Sequence, residues 1–310
     1  DLYMKIKIKN LDIIGKKNWY FGFSLLIMIP GLIFLLLFGL NPSIDFTGGS
    51  RLTVDFKNKV TNNDAQKINR ILTDENIKVY TVETSDRSVL IRTSPIDEKE
   101  NTRFKNDLAK NIKDAKETSF ETIGPTIGKE TTINALKAVV IASVLIVLYI
   151  AWSFRKVPKP ASGVRFGVSA VIALIHDVLV VVGVFAILGK LFGVEVDSLF
   201  VTALLTVIGF SVHDTIVVFD RIRENLRRET APFPQVVNDS ILQTIDRSLN
   251  TSLTVILVLF ALLLFGGESI RWFVVALLVG VASGTYSSIF NASPILVAWQ
   301  EWVEKRKNKR

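Results

Sequence analysis

The sequence predicts an α-helical membrane protein of six transmembrane helices that carries one small α+β domain between its first and second spans. Three observations carry this reading. Of the 310 residues, 49% are hydrophobic and 21% charged, so the apolar residues must be segregated into blocks rather than mixed as in a water-soluble domain. Six blocks approach the roughly twenty apolar residues that cross a hydrocarbon core of about 30 Å; they fall at residues 19–40, 133–152, 166–188, 199–219, 249–265 and 272–299. One connection, residues 41–130, is far too long for a turn and holds 15 Lys and Arg against 15 Asp and Glu.

The first block follows Lys16 and Lys17 as a secretory signal would. Its length, and a following GLNPS with no small-x-small cleavage site, favour an uncleaved anchor. The chain begins with Asp1 rather than Met, and a natural start further upstream is the expectation. Within residues 41–130, IDFTGGS with Asp45, Gly48 and Gly49 marks the turn out of the first span. Residues 51–56 then alternate as a strand does, and residues 64–76 place Ile68, Ile71 and Leu72 at helical spacing behind a capping Asp64. Residues 78–83 and 88–92 read as a hairpin around residues 84–87. A second helix over residues 98–116 and a last strand over residues 119–123 complete the order strand, helix, strand, strand, helix, strand. That order suits a ferredoxin-like sandwich with one modest core. In the later spans, interruptions such as Gly209 and Pro294 are tolerable because neighbouring helices re-satisfy freed backbone groups.

Charge gives the topology. Removing residues 41–130 leaves 22 basic and 14 acidic residues, so the entire excess of +8 lies in the membrane part. A nucleic-acid partner would want that excess on the water-soluble domain and is not expected. Lys5, Lys7, Lys9, Lys16 and Lys17 precede the first span; Arg155, Lys156, Lys159 and Arg165, then Arg221, Arg223, Arg227 and Arg228, then Lys305, Arg306, Lys307, Lys309 and Arg310 collect on the same side. The positive-inside rule makes that side cytoplasmic, with both termini on it. The expected partition is a cytoplasmic segment at residues 1–18, a first span at 19–40, an extracytoplasmic domain at 41–130, a five-helix region at 131–299 and a basic cytoplasmic tail at 300–310. The segment Arg221 to Arg228 reads as an amphipathic surface helix touching anionic lipid. With no cysteine, a disulfide framework, a thiolate zinc site and a cysteine nucleophile are all excluded; no cofactor or metal is expected.

Ionisable residues within apolar blocks are costly and mark ion or substrate paths. Asp214 stands near the end of the fourth block and Arg247 before the fifth, so a hairpin between them would bring acid and base to similar depth. Asp177, in ALIHDVLVV, is a second candidate, and its His176 echoes His213 of SVHDTIVVF. Asn250, Thr251, Ser252 and Thr254 follow Arg247 as a polar stripe that lines a wet path or glues helices. Gly280, Ala282, Ser283 and Gly284 read as close helix packing. Two enzymatic readings fail. Ser211, His213 and Asp214 are crowded on one turn, which cannot build a nucleophile-base-orienter chain. An aspartic dyad of Asp177 and Asp214 would want YD and GxGD motifs, yet both acids follow histidines.

Five stretches in order, IDFTGGS, ETIGPTIGKE, ALIHDVLVV, VHDTIVVFDRIREN and RSLNTSLT, make the chain resemble the SecD/SecF protein-export family, related to the RND transporters. The resemblance implies a six-span half of an RND-type bundle. It implies pairing with a second six-span subunit, SecD, work beside the SecYEG channel on a translocating unfolded polypeptide, and use of the proton motive force across the bacterial cytoplasmic membrane. It assigns proton coupling to Asp214 and Arg247, with Asp177 as a further acid. The rivals are an RND-like exporter of lipids or drugs, which would want a larger external domain and two halves in one chain, and a scaffold that conducts nothing.

Overall fold

The computed structural model of the chain describes residues 11–158, 161–228 and 230–307. Lys5, Lys7, Lys9, Lys159, Lys309 and Arg310 of the basic side lie outside the described residues. The chain forms two compact units, Pro42–Lys137 and the remainder.

The first span is α1, Lys17–Phe38. The small unit then opens with a one-turn helix, α2 (Ile44–Thr47), and continues as β1 (Gly49–Phe56), α3 (Asn62–Asp74), β2 (Val79–Thr84), β3 (Ser88–Thr93), α4 (Glu98–Asn111) and β4 (Ala115–Ile123). The element order is the expected one, and the strands form one antiparallel sheet in the order β2-β3-β1-β4. Alternate residues Leu52, Val54, Val89 and Ile91 point to one face, where they meet Ile68, Leu72, Phe104 and Leu108 of the two helices. Both helices start on capping boxes, Thr61 with Asp64 and Asp97 with Glu100, in which each side chain accepts from the other's backbone N–H. The second helix stops at Asn111 rather than running to residue 116. Ile112 is buried in this core and leaves the helical conformation, and Ala115 onward is drawn into a full-length ladder against β1.

IDFTGGS is more than a turn. Gly48 and Gly49 have φ of 71° and 124°, a region that side chains penalise. A Cβ on Gly48 would lie 2.8 Å from Pro125 Cα, and one on Gly128 would lie 2.7 Å from Gly48 N. Thr132 Oγ1 donates to Phe46 O at 3.3 Å. The GG stretch and the GPTIG stretch therefore lock backbone to backbone, which only glycine permits.

Helix α5, Pro125–Ser153, contributes residues to both units. The rest of the membrane unit is α6 (Gly163–Phe192), α7 (Ser198–Arg228), α8 (Phe233–Phe265) and a last span made of α9 (Arg271–Ser287), a π-turn (Ser288–Ala292) and α10 (Ser293–Lys307). Six of these helical segments are long and apolar enough to cross a membrane. Large apolar side chains such as Leu26, Leu36, Leu136 and Leu148 stay exposed on α1 and α5, as lipid-facing surfaces require. Close approaches hold the bundle. A Cβ on Gly31 of α1 would lie 2.8 Å from Gly183 Cα of α6, and Gly280 and Gly284 of α9 abut Val207 and Ser211 of α7. The basic segment after Asp220 is not a separate surface helix. It continues α7 for two turns, with Arg223 paired to Asp220, Arg221 and Arg228 to Glu224, and Arg223 Nη1 donating to Ser153 O.

Two stability tests follow for the small unit. Gly48→Ala should destabilise it by about 2 kcal/mol or more, the cost of a left-handed side chain plus the clash; hydrogen exchange over residues 42–137 of the intact chain measures this. The Thr61 hydroxyl and backbone N–H hold the Asp64 carboxyl below its ordinary 3.8, so its stabilisation is present above that value and is lost as pH falls through the lower folded value. Amide protection in the first turn of α3 should drop in that acid window, and Asp64→Asn should remove the pH dependence.

A candidate functional site inside the bundle

Two apolar clusters fill the bundle, one around Phe154, Phe166 and Phe219 and one around Phe185, Phe200 and Val207. A polar layer separates them. On α6, Asp177 lies between Leu174 of the first cluster and Val181 of the second; on the last span, Ser283 to Ser288 lie between Val281 and Ile289. Asp177 is fully buried. Its Oδ2 accepts from Ser211 Oγ at 2.5 Å and Ser287 Oγ at 2.6 Å; its Oδ1 accepts from Ser283 Oγ at 2.7 Å and lies 3.0 Å from His176 Nδ1. Four donors match what a carboxylate can accept. They come from Ser211 of α7, from two serines one turn apart on one face of α9, and from His176 beside the acid on α6.

Asp214 is treated very differently. It is 2% exposed, three residues beyond Ser211 on α7, and its one hydrogen bond among the described residues is a 3.5 Å contact from Ser252 Oγ of α8. Ser252 in turn accepts from Thr285 Oγ1 at 2.6 Å. Helix α9 thus serves both acids, presenting Ser283 and Ser287 to Asp177 and Thr285 to the partner of Asp214.

Arg247 does not pair with Asp214. In the α7–α8 hairpin Asn225 meets Ser240 and Asp214 meets Ser252. Arg247 is five residues short of Ser252, about 7.5 Å nearer the hairpin loop at 1.5 Å per residue, and it is exposed. The expected polar stripe divides: Ser252 faces inward, while Asn250, Thr251 and Thr254 share Arg247's exposed face. Sequence reading missed Ser211, Ser283 and Ser287 as carboxylate partners and Thr285 as the partner of Ser252. For the three on α9 the signal was serine and threonine recurring every two residues in the last span, which reads equally as packing. The enzymatic readings fail on geometry as well. Ser211 is bonded to Asp177 rather than to His213, and no hydrogen bond joins Asp177 to Asp214 among the described residues.

Residues 103–302 match the family described as "Protein export membrane protein SecD/SecF, C-terminal", and residues 33–60 match the "SecD/SecF GG Motif". The chain belongs to the SecD/SecF family. It is 49% identical over 304 residues to the protein translocase subunit SecF of Thermobaculum terrenum, covering 94% of both chains. It is 36% identical to the protein translocase subunit SecDF of Bacillus subtilis, covering 93% of this chain and 38% of that one. The crystal structure of SecDF from Thermus thermophilus, titled a translocon-associated membrane protein, matches with a TM-score of 0.81 at 33% identity, over 94% of this chain and 39% of that one. The chain is therefore a multi-pass membrane protein of this family and spans about two-fifths of the SecDF chains. The matched GG motif contains Gly48 and Gly49, the first of them locked against Pro125 and Gly128.

The two acids should differ on truncation. Asp177→Ala strands three hydroxyls and an imidazole in a dry interior, a loss of roughly 3 kcal/mol or more, whereas Asp214→Ala removes one long contact. Thermal unfolding of the purified chain in detergent should show the larger drop for Asp177→Ala.

Proposed function

We propose that this chain is an accessory subunit of the Sec translocase that pairs with SecD and uses the proton motive force to promote export of polypeptides. Asp214 carries the proton, Arg247 completes the coupling pair, and Asp177 is the supporting acid. The observation that carries this reading is Asp214 itself: a carboxyl buried on a membrane-spanning helix with, among the described residues, almost no internal partner. Such a group either takes up a proton or waits for a donor from outside the chain.

The SecDF relatives, in which one chain carries both halves by name, support pairing with SecD. The surface of the bundle supports it too. On α7, Thr202, Thr206 and His213 are exposed at helical spacing, and on α8 Arg247, Asn250, Thr251 and Thr254 are exposed. Thr202, Thr206 and Thr254 donate to carbonyls of their own helices, but lipid satisfies none of His213, Arg247, Asn250 and Thr251, and a second six-span half would. Arg247, pointing out of this chain, then acts across that interface. The charge asymmetry supports cytoplasmic termini and an extracytoplasmic position for residues 41–130, and the sheet order supports a ferredoxin-like fold for them. The relatives' names as protein translocase subunits support work beside the SecYEG channel on an unfolded polypeptide. For anionic lipid the support is narrower, since Arg221, Arg223 and Arg228 are engaged with acids of their own helix, leaving Arg227 and the basic tail.

The test is gradient-dependent export in vesicles holding this chain, SecD and the channel with its ATPase. Asp214→Asn should reduce the gradient-dependent component to background and leave ATP-driven export intact, and Arg247→Ala should do the same. Full gradient response from Asp214→Asn in an assembled complex would make the chain a scaffold and overturn the reading.

A further inference from the structure

His176 sits in a hydrogen-bonded chain that runs from α6 through α1 to the π-turn. Its Nδ1 lies 3.0 Å from Asp177 Oδ1 and its Nε2 lies 2.5 Å from Ser24 Oγ on α1; Asn291 Nδ2, in the π-turn, lies 2.7 Å from the same Oγ. Asp177 only accepts, and already takes hydroxyls from three serines, so Nδ1 carries the ring hydrogen and Nε2 accepts from Ser24. The chain then has one direction: Asn291 N–H to Ser24 Oγ, Ser24 O–H to His176 Nε2, His176 Nδ1–H to Asp177. Asn291 is 3% exposed, and its other amide atom, Oδ1, is buried with no partner among the described residues. An orphan buried acceptor calls for an explanation.

The atoms stand in the order of a hydrolytic triad. Ser24, however, is buried in mid-helix, and the cavity of about 360 Å³ beside it is walled by Phe23, Ile27, Val180 and Val279.

We propose that His176 is a proton-binding site of this chain, and that Ser24 and Asn291 form a reversible pair that accommodates both of its charge states. A proton added at Nε2 turns an acceptor into a donor. Ser24 Oγ then accepts from the ring, its own hydrogen turns toward Asn291, and the amide rotates so that Oδ1 receives it. One proton enters from solvent and later returns to it; the Ser24 hydrogen stays on Ser24, and no other bond is made or broken. The unpartnered oxygen of the neutral chain is the acceptor that the protonated chain needs. The other groups facing His176 are Asp177 on α6, Ser24 on α1, and Ser283 and Tyr286 on α9. None of these is cationic, and Asp214 is turned to Ser252. Because Ser24 lies in the first span and Asn291 in the last, protonation reverses the polarity of the link between those two spans. His213 is exposed and, among the described residues, makes no hydrogen bond; it has no such role. The inference extends the proton-coupled reading to a second site but is tested without it.

The chain has two histidines, so His213→Asn leaves His176 as the one imidazole in the full-length protein. Nitrogen-15 NMR of that ring in nanodiscs should show the Nδ1–H tautomer at alkaline pH and both nitrogens protonated at acid pH, with a reversible change between the two. Asn291→Leu removes the acceptor of the protonated state and should weaken proton affinity about tenfold; in a Ser24→Ala background the same change should have no effect. A ring that stays in one tautomer across the range, or a midpoint indifferent to Asn291→Leu, overturns the proposal. Neither outcome depends on export, so it is separable from the fate of Asp214→Asn.

Discussion

A carboxylate buried in a membrane bundle must receive all its donors from protein, because lipid has none to give. Asp177 sets that requirement, and much of the packing follows from meeting it. Ser211 reaches the acid from α7, and α9 must come close enough to bring Ser283 and Ser287 to the other lone pairs. Gly284, between those serines, permits this: a Cβ there would lie 3.2 Å from Ser211 Cα. On the opposite flank the Gly31–Gly183 crossing brings α1 near enough for Ser24 to meet His176. The small residues and the polar ones are parts of the same solution.

The layer holds two acids in opposite conditions. Asp177 has its oxygens filled and ties α6, α7 and α9 together. Asp214, one turn along α7 from Ser211, has a single long contact. Charge on the first is compensated wherever the bundle goes as a body, while charge on the second must be compensated by water, a proton or a neighbouring subunit. Shared reliance on α9, through Ser283 and Ser287 on one side and Thr285 on the other, places both acids under the influence of one helix. That helix gives way to a π-turn at Ser288, and such turns concentrate at functional sites.

The six spans and the order of the small unit were legible in the sequence because long apolar runs and two-residue alternation are local signals. Boundaries shifted where a tertiary partner overruled them, as when β1 drew Ala115 into a strand and the α7 helix ran on through Arg228 with its own ion pairs. Asp177 and Asp214 were legible as acids in apolar surroundings. Their difference was not, since it depends on which serines of distant segments turn toward which acid. The depth of Arg247 was misjudged for a related reason. A hairpin through the basic loop would put acid and base at similar depth, yet the Asn225–Ser240 and Asp214–Ser252 contacts set a register that leaves the arginine nearer the loop and outside.

The interlock of Gly48 with Pro125 and Gly128 has a consequence for ancestry. The small unit's incoming and outgoing strands of chain are bolted together at their base, so everything between residues 49 and 123 hangs from a closed neck. A neck of that kind makes the unit a cassette. Its loops can lengthen, or its whole interior be exchanged for a bulkier one, while the two chain ends keep the same separation. Glycines at the neck, rather than any feature of the sheet, are then what descent must preserve.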